Sequence, residues 1–343
     1  MNYGALSKYR GELMGLAILF VVMFHVYMPR TDFFYPLRRL GNVGVDMFLF
    51  VSGMGLWFSW TRLRSGGKSG GDGTPLVESL RVFFRRRYVR VYPVWLLVAS
   101  VFYVWKYCTV PGGKYSPDIF NLIANILFNW SFWRADDLTF WYVPATMMLY
   151  LFAPAYMELI RRCPVFRWLP AAAMVLAAMV QYVPLLHSAV GHLEIFFSRI
   201  PIFLIGINCG ERVMEKRGLG RGALWMVLVV FAMSLWLCLR LEYIGHGRFP
   251  LFMERMVYIP LTVSALLLEC RAIAMLPHGV GRVLAFLGTV SLEIYLVHIE
   301  FVLRPIATLH LGYCGTVAAV IAVSVPVAYV LNRTFDRLFA RWR

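Results

Sequence analysis

Charged residues are scarce in this chain, and acidic ones are the scarcest. Only 15% of its 343 residues are charged, with 18 Asp and Glu against 34 Lys and Arg, whereas 60% are hydrophobic. That composition excludes a soluble globular protein, in which about 25% of the residues would be charged. Apolar runs of about 20 residues recur along the chain, and this length is enough to cross a bilayer. The sequence therefore predicts an all-α, polytopic membrane helix bundle.

Closely spaced cysteines are also lacking. The six cysteines are scattered, without a neighbouring Cys or His partner, so neither a metal site nor a disulfide framework is indicated. The formal net charge is +16, but the chain lacks a basic, aromatic-rich soluble module, so we expect no nucleic-acid partner. No cleavable signal is apparent, and residues 13–28 are expected to form a retained first span. Residues 1–343 are thus predicted to be one membrane domain with no appended soluble domain.

The most informative tract present is Arg85-Arg86-Arg87-Tyr88-Val89-Arg90-Val91-Tyr92-Pro93, which leads directly into an apolar span. Residues 61–90 contain eight Lys and Arg, and such residues are retained on the cytoplasmic flanks of spans. This segment is therefore predicted to be a cytoplasmic basic loop. Within it, a flexible Gly- and Ser-rich linker at 65–73 precedes an interfacial helix at 76–90 that leads into the next span.

Apolar segments that are candidates for spans occur at eleven places. They lie near residues 11–29, 41–60, 91–108, 119–133, 139–160, 168–187, 195–212, 222–241, 253–274, 282–303 and 312–333.

The segment at 117–135 is predicted not to span the membrane. It is interrupted by three asparagines, and its crossing would put the basic loops at 161–167 and 212–221 outside. We expect a re-entrant or surface helix on the outer side, which roofs a polar cavity. About ten spans remain, with both termini cytoplasmic and 23 of the 34 Lys and Arg inside. The expected location is the cytoplasmic membrane, in contact with its lipids.

His25 lies in an otherwise apolar segment and is the leading candidate for chemistry. An ionisable residue at membrane depth is costly and usually faces a cavity or the bundle interior, where it has a function. On the second span, Asp46 is a candidate for orienting the imidazole through a ring nitrogen. The alternatives are a histidine hydrogen-bonded across helices or reaching the outer interface, and a Gly- and Ser-rich second span that serves packing alone.

Several motifs occur in a fixed order between about residues 5 and 335. They are His25 after an apolar span, GVDMFLFVSG at 44–53, the arginine cluster ending in Tyr92-Pro93, FWYVP at 140–144 followed by YLFAP at 150–154, RIPIFLIG at 199–206, and LGTVSLEIYLVH at 287–298. As an ordered set they resemble the acyltransferase-3 family of integral membrane acyltransferases.

The resemblance implies transfer of an acyl group, commonly acetyl, from cytoplasmic acyl-CoA to a hydroxyl of a cell-envelope glycan or a related acceptor such as a lipid-linked sugar. It implies that His25 is the catalytic centre and that Arg87 and Arg90 are the arginine pair of the cytoplasmic loop. The chain departs from the family at Met14, where members usually carry Arg or Lys eleven residues before the histidine. Arg10 lies one helical turn earlier and can supply that charge to the same face.

The phosphates of coenzyme A suit an arginine cluster, because a guanidinium can contact a phosphate through two N–H groups. Arg10, Arg86, Arg87 and Arg90 are accordingly predicted to bind acetyl-CoA as the donor substrate. The helix rises about 22 Å between Arg10 and His25, which is comparable to an extended pantetheine arm. A histidine base would then deprotonate the acceptor hydroxyl as it attacks the thioester. The alternative is that the arginines only anchor the topology.

Candidates for contact with the acceptor are Ser52, Trp141, Arg199, Tyr295 and His298. Tyr295 and His298 are three residues apart on one helix and can be neighbours. Structural ion pairing, helix packing or interface anchoring are the alternative roles for this set.

Two other functions compete with an enzyme. A transporter of a glycan or an acylated metabolite is the first, since intramembrane His, Glu and Arg also mark proton relays. Against it, the sequence has no paired Gly- or Pro-broken spans in matching halves. A purely structural membrane partner is the second.

Overall fold

The computed structural model describes residues 2–65, 75–110, 112–113, 118–135 and 137–340. Across these residues the protein is 85% helical and contains no strand, so the predicted all-α fold is confirmed. In chain order the helices are α1 Gly4–Lys8, α2 Arg10–His25, α3 Tyr35–Leu40, α4 Val43–Arg64, α5 Leu76–Thr109, α6 Ile119–Phe128, α7 Trp130–Ala135, α8 Tyr142–Arg162, α9 Leu169–Tyr182, α10 Pro184–Val190, α11 Glu194–Phe197, α12 Ile200–Met214, α13 Arg221–Gly245, α14 Leu251–Met275, α15 His278–Thr289, α16 Ser291–Val297, α17 Arg304–Ala307 and α18 Gly312–Leu338. Two 3₁₀ turns, Pro164–Trp168 and Gly191–Leu193, and one π-helical turn, His298–Leu303, complete them.

Many of these helices are long and apolar enough to cross a membrane. Eight such stretches occur in the described part of the chain, and a bent pair raises the number to nine. The pair consists of His278–Thr289 and Ser291–Ala307, which meet at 61°, a bend that the apolar run at 282–303 does not reveal. Helix α2 has 16 residues and is about 24 Å long, which is short for a hydrocarbon core of about 30 Å. The addition of α2 would bring the candidates to ten, and the expected number of about ten spans stays a prediction.

In the segment predicted at 117–135, the described residues 118–135 form two short helices instead of a span, as predicted. Helix α6 has 10 residues and is about 15 Å long, half of a bilayer core. It ends at Asn129, whose φ of 51° lies in the left-handed region. The Asn129 side chain accepts a hydrogen bond from the Tyr103 hydroxyl at 2.6 Å and donates one to the Thr139 carbonyl at 2.7 Å. The bond to Tyr103 holds this turn against α5. The position of the segment on the outer side of the membrane stays a prediction.

The predicted interfacial helix and the next span form one continuous helix, and the position of the membrane boundary within it stays a prediction. Helix α5 runs without a break for 34 residues from Leu76 to Thr109, with Pro93 inside it. The Tyr88 hydroxyl donates to the Met147 carbonyl at 2.9 Å, so the basic half of α5 is packed on α8. Apart from Ser65, the linker expected at 65–73 lies outside the described residues.

Close glycine contacts fix the two helices that carry the candidate residues. A Cβ added at Gly15 of α2 would overlap the main chain of Leu284 in α15, and one at Gly206 of α12 would overlap the main chain of Phe50 in α4. Small residues allow membrane helices to approach this closely. Helices α2 and α4 are therefore held at their backbones, and the side chains that they present have defined positions.

Candidate active site

Two cavities share a wall formed by Val45 and Tyr295. The larger, which we call the histidine cavity, has a volume of about 700 Å³, and the smaller, the arginine cavity, about 90 Å³. The histidine cavity is lined by, among others, Phe24, His25, Arg39, Asn42, Asp137, Trp141, His192, Glu194, Glu254, Arg255 and Glu300. The arginine cavity is lined by, among others, Arg10, Met14, Val21, Phe48, Ser52, Arg87, Arg90, Tyr142, Thr146 and Tyr150. Helix α2 thus contributes to both cavities, with Arg10 at one end and His25 at the other.

His25 is the last residue of α2 and lies in the wall of the histidine cavity. Its Nδ1 is 2.7 Å from the Val21 carbonyl oxygen and 3.2 Å from Nε2 of His298. A carbonyl oxygen can only accept, so Nδ1 carries the hydrogen of the neutral ring. The tautomer assigned by this contact leaves a lone pair on Nε2 of His25. An imidazole in this state can accept a proton.

His298 was predicted to contact the acceptor, but the structure gives it another position. The side chain is fully buried and is absent from the walls of both cavities. Its ring meets that of His25 edge to face, with the centroids 5.0 Å apart. The bend after α15 and the π-helical turn that begins at His298 bring the ring onto α2. Neither feature is visible in the residue spacing, and the predicted contact of His298 with an acceptor stays a prediction.

Tyr295 lies at the boundary between the two cavities. Its hydroxyl accepts a hydrogen bond from the backbone N–H of Tyr142 at 3.1 Å, and the two rings are 5.2 Å apart. Ser52 lines the arginine cavity, where its hydroxyl is 3.5 Å from that of Tyr150. Trp141 lines the histidine cavity. These three predicted residues therefore have access to a cavity, and their contact with an acceptor stays a prediction.

Asp46 does not orient His25, contrary to the sequence prediction. Its carboxylate pairs with Arg199, with Oδ1 2.6 Å from Nη1, and its other oxygen is 3.6 Å from Arg255. Asp46 and Arg199 are 2% and 1% exposed, so the pair is buried. Arg199 also donates to Asn42 at 2.9 Å and lines neither cavity. Its predicted contact with the acceptor is thus replaced by an ion pair, the alternative that the sequence left open.

The Asp46 pair belongs to a larger ionic network. Arg39 contacts Glu242 at 3.1 Å and Glu254 at 2.7 Å, and Arg255 contacts Glu254 at 3.5 Å. With Asp46 and Arg199, the network holds three arginines and three carboxylates, contributed by α3, α4, α13, α14 and the residue that precedes α12. Sequence reasoning missed it because the partners are up to 215 residues apart. The only available signal was the presence of charged residues inside apolar spans.

Unlike the ionic network, the arginine cavity is lined by arginines without carboxylate partners among the described residues. Arg10, Arg87 and Arg90 line it, whereas no Asp or Glu of the described part of the chain does. Nε of Arg10 and Nε of Arg87 are buried without a hydrogen-bond partner among the described residues. Arg86 is exposed and does not line the cavity, because one residue along a helix rotates the side chain by about 100°. Three of the four predicted arginines are therefore brought together, and Arg86 is not.

Arg10 occupies the wall beside Met14, as the helical phase predicted. Both side chains line the arginine cavity, and the guanidinium of Arg10 lies against Gly55 of α4. A Cβ added at Gly55 would be 3.1 Å from Nη2 of Arg10. Glycine at this position leaves room for the guanidinium.

The chain matches one known protein family. The model of a family described as an acyltransferase domain matches residues 13–333, nearly the whole chain. No curated protein and no solved structure matches it significantly.

Proposed function

The chain belongs to this acyltransferase family and is a multi-pass membrane acyltransferase, and we propose that it transfers an acetyl or other acyl group from cytoplasmic acyl-CoA to a hydroxyl of a cell-envelope glycan. The observation that carries this proposal is the pair of cavities that meet at Val45 and Tyr295. One cavity is basic and suits the donor, the other is larger and suits the acceptor, and α2 extends along both.

Three converging arginines support a CoA ester as the donor. The wall of the arginine cavity offers Arg10, Arg87 and Arg90 without a compensating carboxylate. Coenzyme A carries several phosphate charges, and charge-assisted hydrogen bonds from guanidinium groups are the strong contacts to such groups. The pantetheine arm would then extend along α2, from Arg10 towards His25 about 22 Å away.

His25 is proposed as the general base. Its Nε2 has a free lone pair in the tautomer that the Val21 carbonyl favours. Nε2 takes the proton of the acceptor hydroxyl while the hydroxyl oxygen forms a bond to the thioester carbonyl carbon. The carbon–sulfur bond breaks, and the imidazolium returns the proton to the leaving CoA thiolate. Such positioned proton transfer contributes typically about 10²- to 10⁴-fold to the rate.

Tyr295 is proposed to hydrogen-bond the thioester oxygen. Its hydroxyl oxygen already accepts from the Tyr142 N–H, so its own hydrogen is directed to another acceptor. A donor at the boundary of the two cavities would stabilise the negative charge that develops on the carbonyl oxygen, the effect that usually contributes most to acyl transfer.

A glycan acceptor is supported by the lining of the histidine cavity. Trp141 supplies an apolar ring face, and Asp137, Glu254 and His192 supply groups that can bond sugar hydroxyls. Oδ2 of Asp137 is buried without a partner among the described residues. This unsatisfied carboxylate oxygen would accept a hydrogen bond from an acceptor hydroxyl.

The direct test uses purified protein in proteoliposomes, labelled acetyl-CoA, and envelope glycans extracted from cells that lack the gene. We expect label in the glycan fraction together with free CoA, and neither with His25→Ala at equal protein level. Transfer by the His25→Ala protein at the wild-type rate would refute the base assignment. No label transfer by the wild-type protein from acetyl, propionyl or succinyl-CoA would refute the donor class.

Both termini are proposed to be cytoplasmic, which puts Arg10 on the side where acyl-CoA is found. Gly218 and His187 are exposed at opposite predicted faces. In a cysteine-free background, Gly218→Cys should react with an impermeant maleimide only in inverted vesicles, and His187→Cys only in intact cells. The reverse pattern would place the arginine cavity outside and exclude cytoplasmic CoA as its ligand.

A further inference from the structure

The contact between His25 and His298 is unusual because two imidazole rings from different helices contact each other directly inside the helix bundle. His298 is fully buried, and its Nε2 is 3.2 Å from Nδ1 of His25. Burying an imidazole nitrogen in an apolar environment is costly unless a partner satisfies it. For Nε2 of His298, the His25 ring supplies the hydrogen-bond contact.

The backbone fixes which nitrogen of His298 carries the hydrogen. Nδ1 of His298 is 2.8 Å from the Tyr295 carbonyl oxygen and 3.0 Å from that of Ile294. Both oxygens only accept, so Nδ1 must donate, and Nε2 of the neutral ring accepts. The hydrogen on Nδ1 of His25 therefore faces two acceptors, the Val21 carbonyl and Nε2 of His298.

We propose that His298 is a positioning residue for His25, which holds the catalytic ring in the tautomer that leaves Nε2 free as the base. It also accepts from Nδ1–H of the imidazolium that forms when His25 takes the acceptor proton. In this respect a neutral histidine does what the carboxylate does in a Ser-His-Asp triad. The inference rests on the proposed role of His25 as the base.

The local backbone suits this role. His298 opens the π-helical turn His298–Leu303, and single π turns inside helices are frequent at functional sites. Tyr295, three residues earlier, lines both cavities and supplies one of the carbonyl oxygens that orient His298. One short segment thus positions the proposed base and presents the hydroxyl proposed to bond the thioester oxygen.

Two substitutions of His298 by residues of nearly equal size distinguish a positioning role of this side chain from a packing role. In His298→Gln, the side-chain oxygen can replace Nε2 as the acceptor, whereas His298→Met fills the space without an equivalent acceptor. With acetyl-CoA and envelope glycan as substrates, we expect His298→Met to lower kcat by about 10- to 100-fold, similar to the loss of a group that orients a metal-bound histidine. The KM for acetyl-CoA should stay within about twofold because the arginine cavity is untouched. His298→Gln should recover most of the lost kcat.

Equal kcat values in wild type and His298→Met, with His25→Ala inactive, would overturn the inference and leave the proposed function standing. Activity in His25→Ala would refute the proposed function itself. If His298→Met does not fold, ¹⁵N NMR of histidine-labelled wild-type protein decides, with His25→Gln used to assign the signal. A hydrogen on Nδ1 of both His25 and His298 supports the inference, and a hydrogen on Nε2 of His25 overturns it.

Discussion

The ionic network around Asp46 and the arginine cavity each contain three arginines, but they differ in what surrounds the guanidinium groups. In the network, Arg39, Arg199 and Arg255 face an equal number of carboxylates. In the cavity, Arg10, Arg87 and Arg90 face no carboxylate among the described residues. Charges that are paired with each other need no ligand for compensation, whereas a cluster of like charges favours an anion. We therefore expect the first set mainly to stabilise the fold, with Arg39 and Arg255 also in the wall of the histidine cavity, and the second set to bind the donor.

The largest expected effect comes from breaking the network. Arg199→Met leaves the buried Asp46 carboxylate without its 2.6 Å partner, which costs on the order of 3–5 kcal/mol. The melting temperature in detergent should fall by roughly 10 °C, and Arg87→Met should change it much less. Adding Asp46→Leu to Arg199→Met should recover part of the loss, because both charges are then absent. Equal melting temperatures for Arg199→Met and Arg87→Met would show that the ionic network and the arginine cavity contribute equally to stability.

Arg10 should matter most within the cavity, because its guanidinium packs against Gly55 of α4 and it lies on α2, the helix that also carries His25. Arg10→Ala should raise the KM for acetyl-CoA by about 10- to 100-fold, the value of one hydrogen bond to a charged group. Adding Met14→Arg should recover part of this loss, since residue 14 lines the same wall. Lys8→Ala, an exposed residue outside the cavity, is the control and should leave KM unchanged. A wild-type KM in Arg10→Ala would show that the donor binds elsewhere.

Arg87 and Arg90 should have smaller effects than Arg10, because both lie on α5 and not on α2, which carries His25, and because Arg90 is exposed. Arg87→Ala and Arg90→Ala should each raise the KM for acetyl-CoA about tenfold with little change in kcat, since a phosphate contact is equal in ground and transition states. Arg86→Ala on the same helix is the matched control, and its KM should match wild type. The same rise in all three variants would indicate a general effect of surface charge.

Gly55→Ala should produce the smallest change. The added Cβ would approach Nη2 of Arg10 to 3.1 Å, so the flexible guanidinium must shift by a few tenths of an ångström. We expect KM to rise roughly threefold, in line with the cost of a strained rotamer, while the melting temperature stays the same. Gly222→Ala, where a Cβ would meet nothing within 4 Å, should leave KM at the wild-type value. Unchanged KM in Gly55→Ala would mean that Arg10 binds donor in another rotamer.

Sequence reasoning succeeded where local periodicity carried the information. Apolar run lengths predicted the helical passes and the short segment at 117–135, and helical phase predicted that Arg10 and Met14 share a face. It failed where pairing between distant helices decides the outcome. Asp46 was paired with the wrong partner because nothing in residue spacing distinguishes His25 from Arg199, which lies 153 positions further along the chain than Asp46.

The His25–His298 contact lay beyond the sequence for a related reason. It depends on a bend of 61° and a π-helical turn in the same region, which contacts both α2 and α18. Arg86 was grouped with Arg87 and Arg90 because the cluster was considered as a charge run. Its helical phase, which was available from the sequence, separates it from the cavity.

Arg10, Arg87 and Arg90 are proposed to bind the donor. Titration calorimetry with coenzyme A measures this binding without the acceptor. The account predicts that Arg10→Ala/Arg87→Ala/Arg90→Ala protein binds coenzyme A at least about 100-fold more weakly than wild type, whereas His25→Ala protein binds it with wild-type affinity. Equal dissociation constants for the triple variant and the wild type would contradict the account.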